Sequence, residues 1–380
     1  MKSNRIDNRY VSGERFNTNR GIQTEARKQL SDVEWNYLNC GTGDEVTLRA
    51  NTTDFDKVTF DTPLFAGVEN PDTRTRFLGH ELSFPALIAP FGGGEQLFHP
   101  DGHVATGRAA AASGIRQIVP VAAAHSLETI ASSTGVAQMF QMTFVGDAEA
   151  VLQMIGRAKD AGYEQIIATY SPIRQWRERM MEDRFTIRSS DEDSNYAEGK
   201  SDPSMLKEQL EFTRPRWGWK DAEYIIRKSP LPVFVKGVMS ERDATRALEA
   251  GARGLYVSNF GGRSIDRMPS AISALPKVRA AVGTDVPIIF DSGIRRGSDI
   301  ATAIALGADV VALGRSIAFG LAAEGEAGAH RVLELLKAEF WTTLGHLGCS
   351  SVSDLSSDSL IGVTTVGFRR TSRTGRASGA

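Results

Sequence analysis

The sequence predicts an α/β protein built as a (β/α)8 TIM barrel, and three observations support this fold class. Short apolar runs alternate with amphipathic stretches from about residue 85 onward. The apolar runs show little alternation between apolar and polar residues, which is typical of strands buried on both faces of a parallel sheet. About eight strand–helix units follow one another with short connections, and this repetition favours a closed barrel over an open sheet.

The eight predicted barrel strands are, in chain order, 85–90, 115–123, 137–144, 164–170, 230–238, 252–259, 286–293 and 308–315. Amphipathic helices are predicted between them, and a long helix is predicted from about Ser316 to Leu347 after the last strand. The glycine-rich stretch 91–96 reads FGGGEQ. It does not fit the G-x-G-x-x-G pattern of an open dinucleotide-binding sheet.

Three segments surround or interrupt these units. Residues 1–84 form an N-terminal extension with a helical piece over 24–41, and we expect it to cap the floor or the edge of the barrel, which occupies 85–362. The stretch 180–217 is too polar to pack and is predicted to be a mobile loop after the fourth strand. Residues 363–380 contain four arginines and no acid, which predicts a disordered basic tail.

Composition excludes several classes of function. The chain has 380 residues, with 44 basic and 46 acidic side chains and a net charge of −2, so no general attraction to nucleic acid or to an anionic membrane is expected. The N-terminus is polar and no run of 18 apolar residues occurs, which predicts a cytoplasmic protein without signal peptide or membrane span. Two cysteines do not make a disulfide framework, and no metal site is predicted.

The loops after the last two strands have the composition of a phosphate site. Barrel enzymes commonly bind phosphate at this place. Gly293 and Gly314 allow backbone N–H groups to approach an anion, and Arg295 and Arg315 can pair with its oxygens. The helix after Arg315 adds its positive N-terminal end.

Three further polar residues are expected at the barrel mouth. Lys236 ends the fifth strand within an apolar run. It is either a salt-bridged lysine or a cation that faces a cofactor which gains negative charge on reduction. Gln141 ends the third strand as a neutral hydrogen-bonding group, and Arg263 follows the sixth strand, where it can bind a carboxylate.

Several motifs together resemble one family, and they extend from about Trp35 to about Leu355. They are YLNCGTGDEVTLRAN, ALIAP, FHPDGH, VFVKGV, VSNFGGRSID, FDSGIRRGSD, ALGRSIAFGLAAEGEAG and GHLGCSSVSDL. The sequence resembles the FMN-dependent α-hydroxy acid oxidases and dehydrogenases, such as glycolate oxidase, lactate oxidase and lactate monooxygenase. The resemblance implies a TIM barrel, FMN as cofactor, oxidation of a small-molecule substrate and a homo-oligomer, often a tetramer.

The resemblance also implies roles for single residues. Lys236 is expected at the N1–C2 carbonyl edge of the flavin, Gln141 at its ring and Ser258 beside it. The implied ribityl-phosphate site consists of residues that follow the last two strands, namely Asp291, Gly293, Arg295, Gly314 and Arg315. Tyr37 and Arg263 match the substrate-site tyrosine and the arginine that binds the substrate carboxylate.

Two departures from the family pattern affect proton transfer. Phe260 stands where the family has the histidine that takes a proton from the substrate. Tyr170 stands where the family has the aspartate that supports this histidine. A positioned base contributes about 10²–10⁴-fold to rate, so ordinary oxidation of lactate or glycolate is expected to be very slow.

Other departures affect the substrate pocket. Thr143 replaces a substrate-site tyrosine, and Ala122 replaces a tryptophan. A second substrate-binding arginine of the family aligns with Trp176, although Arg174 and Arg177 are neighbours. These changes predict a bulkier, less polar substrate that still carries an anionic group.

The leading hypothesis is an FMN-dependent oxidoreductase whose substrate needs no strong enzyme base, such as an amine, an acidic hydroxyl or a carbanion-stabilised carbon. Candidates for a replacement base are His125, Glu95 and Tyr170. Ordinary 2-hydroxy acid oxidation with such a base is one alternative. Non-redox isomerase or lyase chemistry on reduced FMN is another, and flavin binding without catalysis is a third.

Overall fold

Eight parallel strands close into a barrel, as the sequence predicted. The computed structural model describes residues 15–92, 94–170, 175–185, 194–197, 201–202, 205 and 217–361. The described strands are β1 (Thr59–Phe60), β2 (Thr75–Phe77), β3 (His80–Leu82), β4 (Ala86–Ile88), β5 (Arg116–Pro120), β6 (Met139–Thr143), β7 (Gln165–Thr169), β8 (Val233–Val238), β9 (Gly254–Val257), β10 (Ile288–Phe290), β11 (Val310–Leu313) and β12 (Leu360–Ile361). Strands β4 to β11 pair in chain order, and β11 returns to pair with β4.

Helices surround the barrel and follow its strands. The described helices are α1 (Asn19–Gln29), α2 (Asp32–Asn39), α3 (Val46–Thr53), α4 (Gly102–Ala112), α5 (Leu127–Thr134), α6 (Ala148–Asp160), α7 (Glu178–Glu182), α8 (Trp219–Lys228), α9 (Glu241–Glu249), α10 (Ala271–Val282), α11 (Gly297–Ala305) and α12 (Arg315–His346). Side-chain caps begin several of them. Ser126, for example, accepts a hydrogen bond from the N–H of Thr129 at the start of α5, as expected for an N-cap.

Two helical predictions need correction. The single piece predicted over 24–41 is split into α1 and α2, because Leu30 is extended and Ser31 caps a new helix in a capping box with Glu34. The long C-terminal helix α12 is broken at Glu324 and Gly325, where Gly325 has a φ of 58°. A Cβ on Gly325 would lie 2.7 Å from Nε2 of His99, so the break is also a tight packing point.

The interior of the barrel is apolar and is closed at its floor. Inward-facing side chains such as Ile118, Ile167 and Phe234 are fully buried in one cluster. Phe77 and Leu82 of the β2–β3 hairpin join the same cluster. This part of the N-terminal extension therefore packs against the barrel interior.

Another part of the extension reaches the opposite end of the barrel. Helix α1 packs along α12, and Ile22 and Ala26 of α1 are fully buried in the main core. Helix α2 lies at the barrel mouth, where Tyr37 is buried. The extension thus contributes to the floor and to the mouth, and the division at residue 84 stays a prediction.

Some predicted features lie outside the described residues. The predicted disordered tail, 363–380, does so completely, and the predicted mobile loop, 180–217, does so in large part. Cys40 and Cys349 are both buried and free. In the part of the chain that the structure describes, no helix has the length and apolar character needed to cross a membrane.

Candidate active site

A cavity of about 310 Å³ opens at the carboxyl ends of the barrel strands, where barrel enzymes place their chemistry. Eleven of the fifteen residues singled out from the sequence line it: Tyr37, Gln141, Thr143, Lys236, Phe260, Arg263, Asp291, Gly293, Arg295, Gly314 and Arg315. Glu95, His125, Tyr170 and Ser258 are not part of its described wall.

Two partly buried guanidinium groups line the cavity. Arg315 donates hydrogen bonds to the carbonyls of Gly261 at 2.8 Å and Cys40 at 2.9 Å. Arg295 donates to the carbonyl of Ile294 at 2.8 Å. Burial lowers the pKa of both groups, and the nearby Arg263 and Arg295 lower the pKa of Arg315 further. Since a guanidinium stays charged in proteins, a bound anion would offset this crowded positive charge.

The two glycines of the predicted phosphate site, Gly293 and Gly314, differ in the space around them. Gly314 precedes α12, and a Cβ there would meet only Ala89 at 3.9 Å, so the start of α12 is accessible from the cavity. Gly293 has a φ of 106°, and a Cβ there would lie 1.8 Å from the carbonyl oxygen of Asn51. The close approach of α3 therefore requires Gly293, whereas the helix start after Gly314 is open to an anion.

Lys236 and Asp291 form a buried ion pair at the bottom of the cavity. Nζ of Lys236 lies 2.7 Å from Oδ2 of Asp291. The hydroxyl of Tyr256 donates to the same oxygen at 2.8 Å, and Ser292 donates to Oδ1 at 2.8 Å. Lys236 is thus salt-bridged and also part of the cavity wall, and the interpretation that it faces a cofactor stays a prediction.

Tyr256 also belongs to this site, and the sequence analysis did not identify it. It lies within the stretch 252–259, which was predicted only as an apolar barrel strand. A buried tyrosine usually needs a hydrogen-bond partner for its hydroxyl. That rule was the available signal that Tyr256 points toward a polar group inside the barrel.

A wall of small polar groups lies across from the arginines. Nε2 of Gln141 donates to Oγ1 of Thr143 at 2.9 Å. Thr169 also lines the cavity, and its Oγ1 is buried without a hydrogen-bond partner among the described residues. Ala122 completes this wall with a methyl group.

Tyr37 of α2 lies near two cations. Its ring centroid is 5.4 Å from the guanidinium carbon of Arg263 and 5.8 Å from that of Arg177. Arg263 also donates to the carbonyls of Tyr37 and Leu38. Burial raises the pKa of Tyr37, while burial and the charge of Arg263 lower the pKa of Arg177. The pair of arginines is suited to a carboxylate.

Arg177 corrects the alignment made from the sequence. The family's second arginine was aligned with Trp176, but Trp176 is 64% exposed while Arg177 lines the cavity. Arg174 lies outside the described residues. The chain here is an irregular segment after β7 without periodicity, so the sequence could not fix which of the neighbouring residues points inward.

Phe260 lies in the cavity wall with a left-handed backbone, at a φ of 58°. Its N–H donates to Oγ of Ser258 at 3.0 Å, and its ring lies against Gly237, where a Cβ would be 3.0 Å from Cζ. Such a backbone is uncommon for a bulky residue and is held by its surroundings. Ser258 is fully buried and supports this turn, and its expected place beside the flavin stays a prediction.

The three candidate replacement bases are not part of the described wall of the cavity. Glu95 is buried and accepts hydrogen bonds from the N–H groups of Ala124 at 2.6 Å and Gly94 at 3.2 Å, so it joins two loops. The hydroxyl of Tyr170 accepts from the N–H of Trp217 at 3.1 Å. His125 is half-buried outside the cavity wall. The described wall contains one carboxylate, Asp291, and it is engaged with Lys236.

The donor set of the cavity fits a flavin mononucleotide. The partly buried cations Arg295 and Arg315 and the start of α12 suit its phosphate. Lys236 and Gln141 also line the cavity, where they suit the polar edge of a ring system. The fit rests on the crowded guanidinium charges of Arg263, Arg295 and Arg315, whose mutual repulsion a bound anion would reduce.

Comparison with known proteins agrees with this fit. The family model described as FMN-dependent dehydrogenase matches residues 26–362. The peroxisomal (S)-2-hydroxy-acid oxidase GLO4 of Oryza sativa subsp. japonica is 34% identical over 343 residues, which is 89% of this chain and 93% of that protein. The glycolate oxidase of Spinacia oleracea is 34% identical over 351 residues, with 87% and 92% coverage.

Solved structures are similar as well. The crystal structure of mandelate oxidase with 3,3-difluoro-2-hydroxy-3-phenylpropionic acid has a TM-score of 0.80 and 32% sequence identity. The match covers 90% of this chain and 98% of that one.

Proposed function

Because this chain belongs to the FMN-dependent dehydrogenase family and is an FMN-dependent oxidoreductase, we propose that it oxidises a substrate which needs no strong base from the enzyme. We further propose that this substrate is bulkier than lactate or glycolate, aromatic and anionic. The observation that carries the proposal is Phe260 in the cavity wall together with the absence of a free carboxylate or a histidine from the described wall.

FMN supplies an acceptor for two electrons. The residues proposed to hold it are Arg295, Arg315 and the backbone after Gly314 at the phosphate end, with Lys236 and Gln141 at the ring. A cation close to the ring favours the negatively charged reduced form. These assignments are supported by the position of each side chain in the cavity wall.

Proton removal separates this protein from ordinary oxidation of hydroxy acids. Oxidation of an alcohol carbon needs loss of the hydroxyl proton, and a phenylalanine cannot accept it. Tyr37 is a poor base in its place, because burial raises its pKa and it stays protonated. An amine that has lost its ammonium proton to solvent has a lone pair that stabilises the developing cation. An acidic hydroxyl or an activated carbon likewise loses its proton to solvent. These are the proposed reacting groups.

The shape and charge of the cavity support the substrate class. Ala122, Thr143 and Thr169 leave space on one side, while Phe260 and Tyr37 offer aromatic faces. Arg177 and Arg263 both lie near the ring of Tyr37 and line the cavity, where they can bind a carboxylate. An aromatic acid with its reacting carbon next to the carboxylate satisfies all three features.

The test is anaerobic reduction of the bound flavin by matched pairs of acids. Mandelate and phenylglycine share skeleton and carboxylate and differ only in the hydroxyl or amino group at the reacting carbon. We expect phenylglycine or a larger aromatic amino acid to bleach the flavin absorption band much faster than mandelate, lactate or glycolate. Lactate and glycolate serve as controls for size.

Each other outcome contradicts the proposal in a distinct way. Rapid bleaching by 2-hydroxy acids would mean that a replacement base works despite its position in the structure. If no acid bleaches the flavin, conversion of substrate only after reduction with dithionite would indicate the isomerase or lyase reaction.

We also propose a cytoplasmic location and a homo-oligomer, commonly a tetramer in this family. Leu64 and Phe65 support assembly, because their side chains are 86% and 101% exposed and form an apolar tip. Light scattering on the purified protein measures the oligomeric state, and a monomer at micromolar concentration would contradict the proposal.

A further inference from the structure

Tyr256 is a polar residue in the apolar interior of the barrel. It is fully buried, and it is surrounded by side chains such as Phe234 and Ile289 of the inner cluster. Its hydroxyl donates to Oδ2 of Asp291 at 2.8 Å. This is the same oxygen that Nζ of Lys236 approaches to 2.7 Å.

The ring of Tyr256 makes a second contact with the lysine. Nζ of Lys236 lies 4.0 Å from the ring centroid, within the range of a cation–π interaction. The ammonium is thus held by Asp291 and by the face of Tyr256 while it stays in the cavity wall. The ring of Phe260 makes a longer contact, with its centroid 5.7 Å from Nζ.

The hydroxyl of Tyr256 affects the strength of the ion pair. Burial and the charge of Asp291 raise the pKa of Tyr256 well above its ordinary value, so the phenol stays a donor. A hydrogen bond donated to Oδ2 takes up part of the negative charge that otherwise acts on the lysine. Without it, Asp291 would hold Lys236 more tightly and would present more negative charge to the cavity.

We propose that Tyr256 is a positioning residue, which shares Oδ2 of Asp291 with Lys236 and thereby sets how much positive charge Lys236 offers to the bound flavin. This inference rests on the proposed position of Lys236 at the polar edge of the flavin. It does not depend on the identity of the substrate.

The test is the Tyr256→Phe variant of the FMN-loaded protein, which loses only the hydroxyl and keeps the ring. The probe is sulfite, which adds to oxidised flavin and leaves negative charge on the ring. We expect the dissociation constant for sulfite to rise about tenfold and the midpoint potential of the flavin to fall.

The matched control is Tyr163→Phe. Tyr163 is also buried, but its hydroxyl donates to the carbonyl of Leu127 at 2.9 Å, away from the cavity. We expect sulfite binding within about twofold of the unchanged protein, and thermal melts show that both variants are folded. Equal sulfite affinity and potential in Tyr256→Phe and the unchanged protein would overturn the proposal. Neither readout needs a substrate, so fast oxidation of 2-hydroxy acids would refute the proposed function and leave this test valid.

Discussion

The two ends of the cavity differ in how closely they keep the family pattern. At the proposed phosphate end, Arg295, Arg315 and Gly314 fit the resemblance and line the cavity. At the proposed substrate end, Phe260 and Thr143 stand where the resemblance implies groups for proton transfer and substrate contact. Under the proposed function, the cofactor requirement and the reaction are therefore subject to separate constraints. A phosphate needs the same charges whatever the substrate is, whereas a new substrate needs a new wall.

The largest expected effect is at the phosphate end. We expect Arg315→Met to weaken FMN binding by about 100-fold, because a buried charged donor to phosphate contributes roughly 1.5–3 kcal/mol. Arg315→Lys keeps the charge but loses the planar fork, and we expect a loss of about tenfold. Titration of the apoprotein with FMN, followed by flavin fluorescence, measures both.

Arg296→Met is the control for that prediction. Arg296 neighbours Arg295 but is exposed, and it pairs with Glu339 at 3.0 Å. Its loss should leave FMN affinity unchanged within about twofold, as for other exposed pairs. Undiminished FMN affinity in Arg315→Met would place the phosphate elsewhere.

The next effect restores a base at the substrate end. We expect Phe260→His to raise the rate of flavin reduction by mandelate about 10²-fold, the lower end of the range for a positioned base. Histidine also tolerates the left-handed backbone at this position better than phenylalanine. Stopped-flow reduction under anaerobic conditions measures the rate, and Phe260→Leu removes the ring without adding a base. An equal gain in Phe260→Leu would show that space, and not proton transfer, limits the reaction.

A smaller effect is expected for Arg177, which lines the cavity next to the residue that the alignment selected, Trp176. We expect Arg177→Met to raise the dissociation constant of an aromatic carboxylate about 10- to 50-fold, through loss of one charged donor. Binding of the matching amide, which lacks the charge, should change little. Perturbation of the flavin spectrum reports both. Trp176→Leu, at the exposed neighbour, is the control, and a larger loss there would support the alignment over the structure.

The smallest effect tests the correction at Glu95. We expect Glu95→Gln to lower the free energy of unfolding by about 1–3 kcal/mol, because a buried charged acceptor to the N–H groups of Ala124 and Gly94 is weakened. The pH dependence of kcat/KM should not change. Chemical denaturation and a pH profile measure the two quantities, and loss of a limb of the profile would return Glu95 to the catalytic candidates.

Sequence patterns predicted the features that depend on local chemistry. Apolar runs that alternate with capped helices predicted all eight barrel strands. The glycines and arginines after the last two strands predicted the cation-rich part of the cavity. The split between α1 and α2 was visible only as a capping box at Ser31, within a run that is helical on both sides.

Features that depend on the direction of a side chain were not predictable in the same way. Glu95, His125 and Tyr170 stand near strand ends, but none of them is part of the described wall of the cavity. Tyr256 lies within an apolar run, and only the three-dimensional position of Asp291 gives its hydroxyl a role. Arg177 follows irregular chain, where no periodicity assigns an inward face.

Hydrogen bonds hold the end of α2 at the barrel mouth. Through them, the binding of FMN affects how well ordered the N-terminal segment is. Arg263 and Arg315 donate to carbonyls of Tyr37, Leu38 and Cys40, at the negative end of α2. The same two arginines face the cavity, so an anion that fixes them also fixes the end of this helix. By thermodynamic linkage, FMN loss should loosen residues 30–45 first. Limited proteolysis of apoprotein and holoprotein would then cut the N-terminal segment before the barrel, which makes α2 a reporter of cofactor saturation.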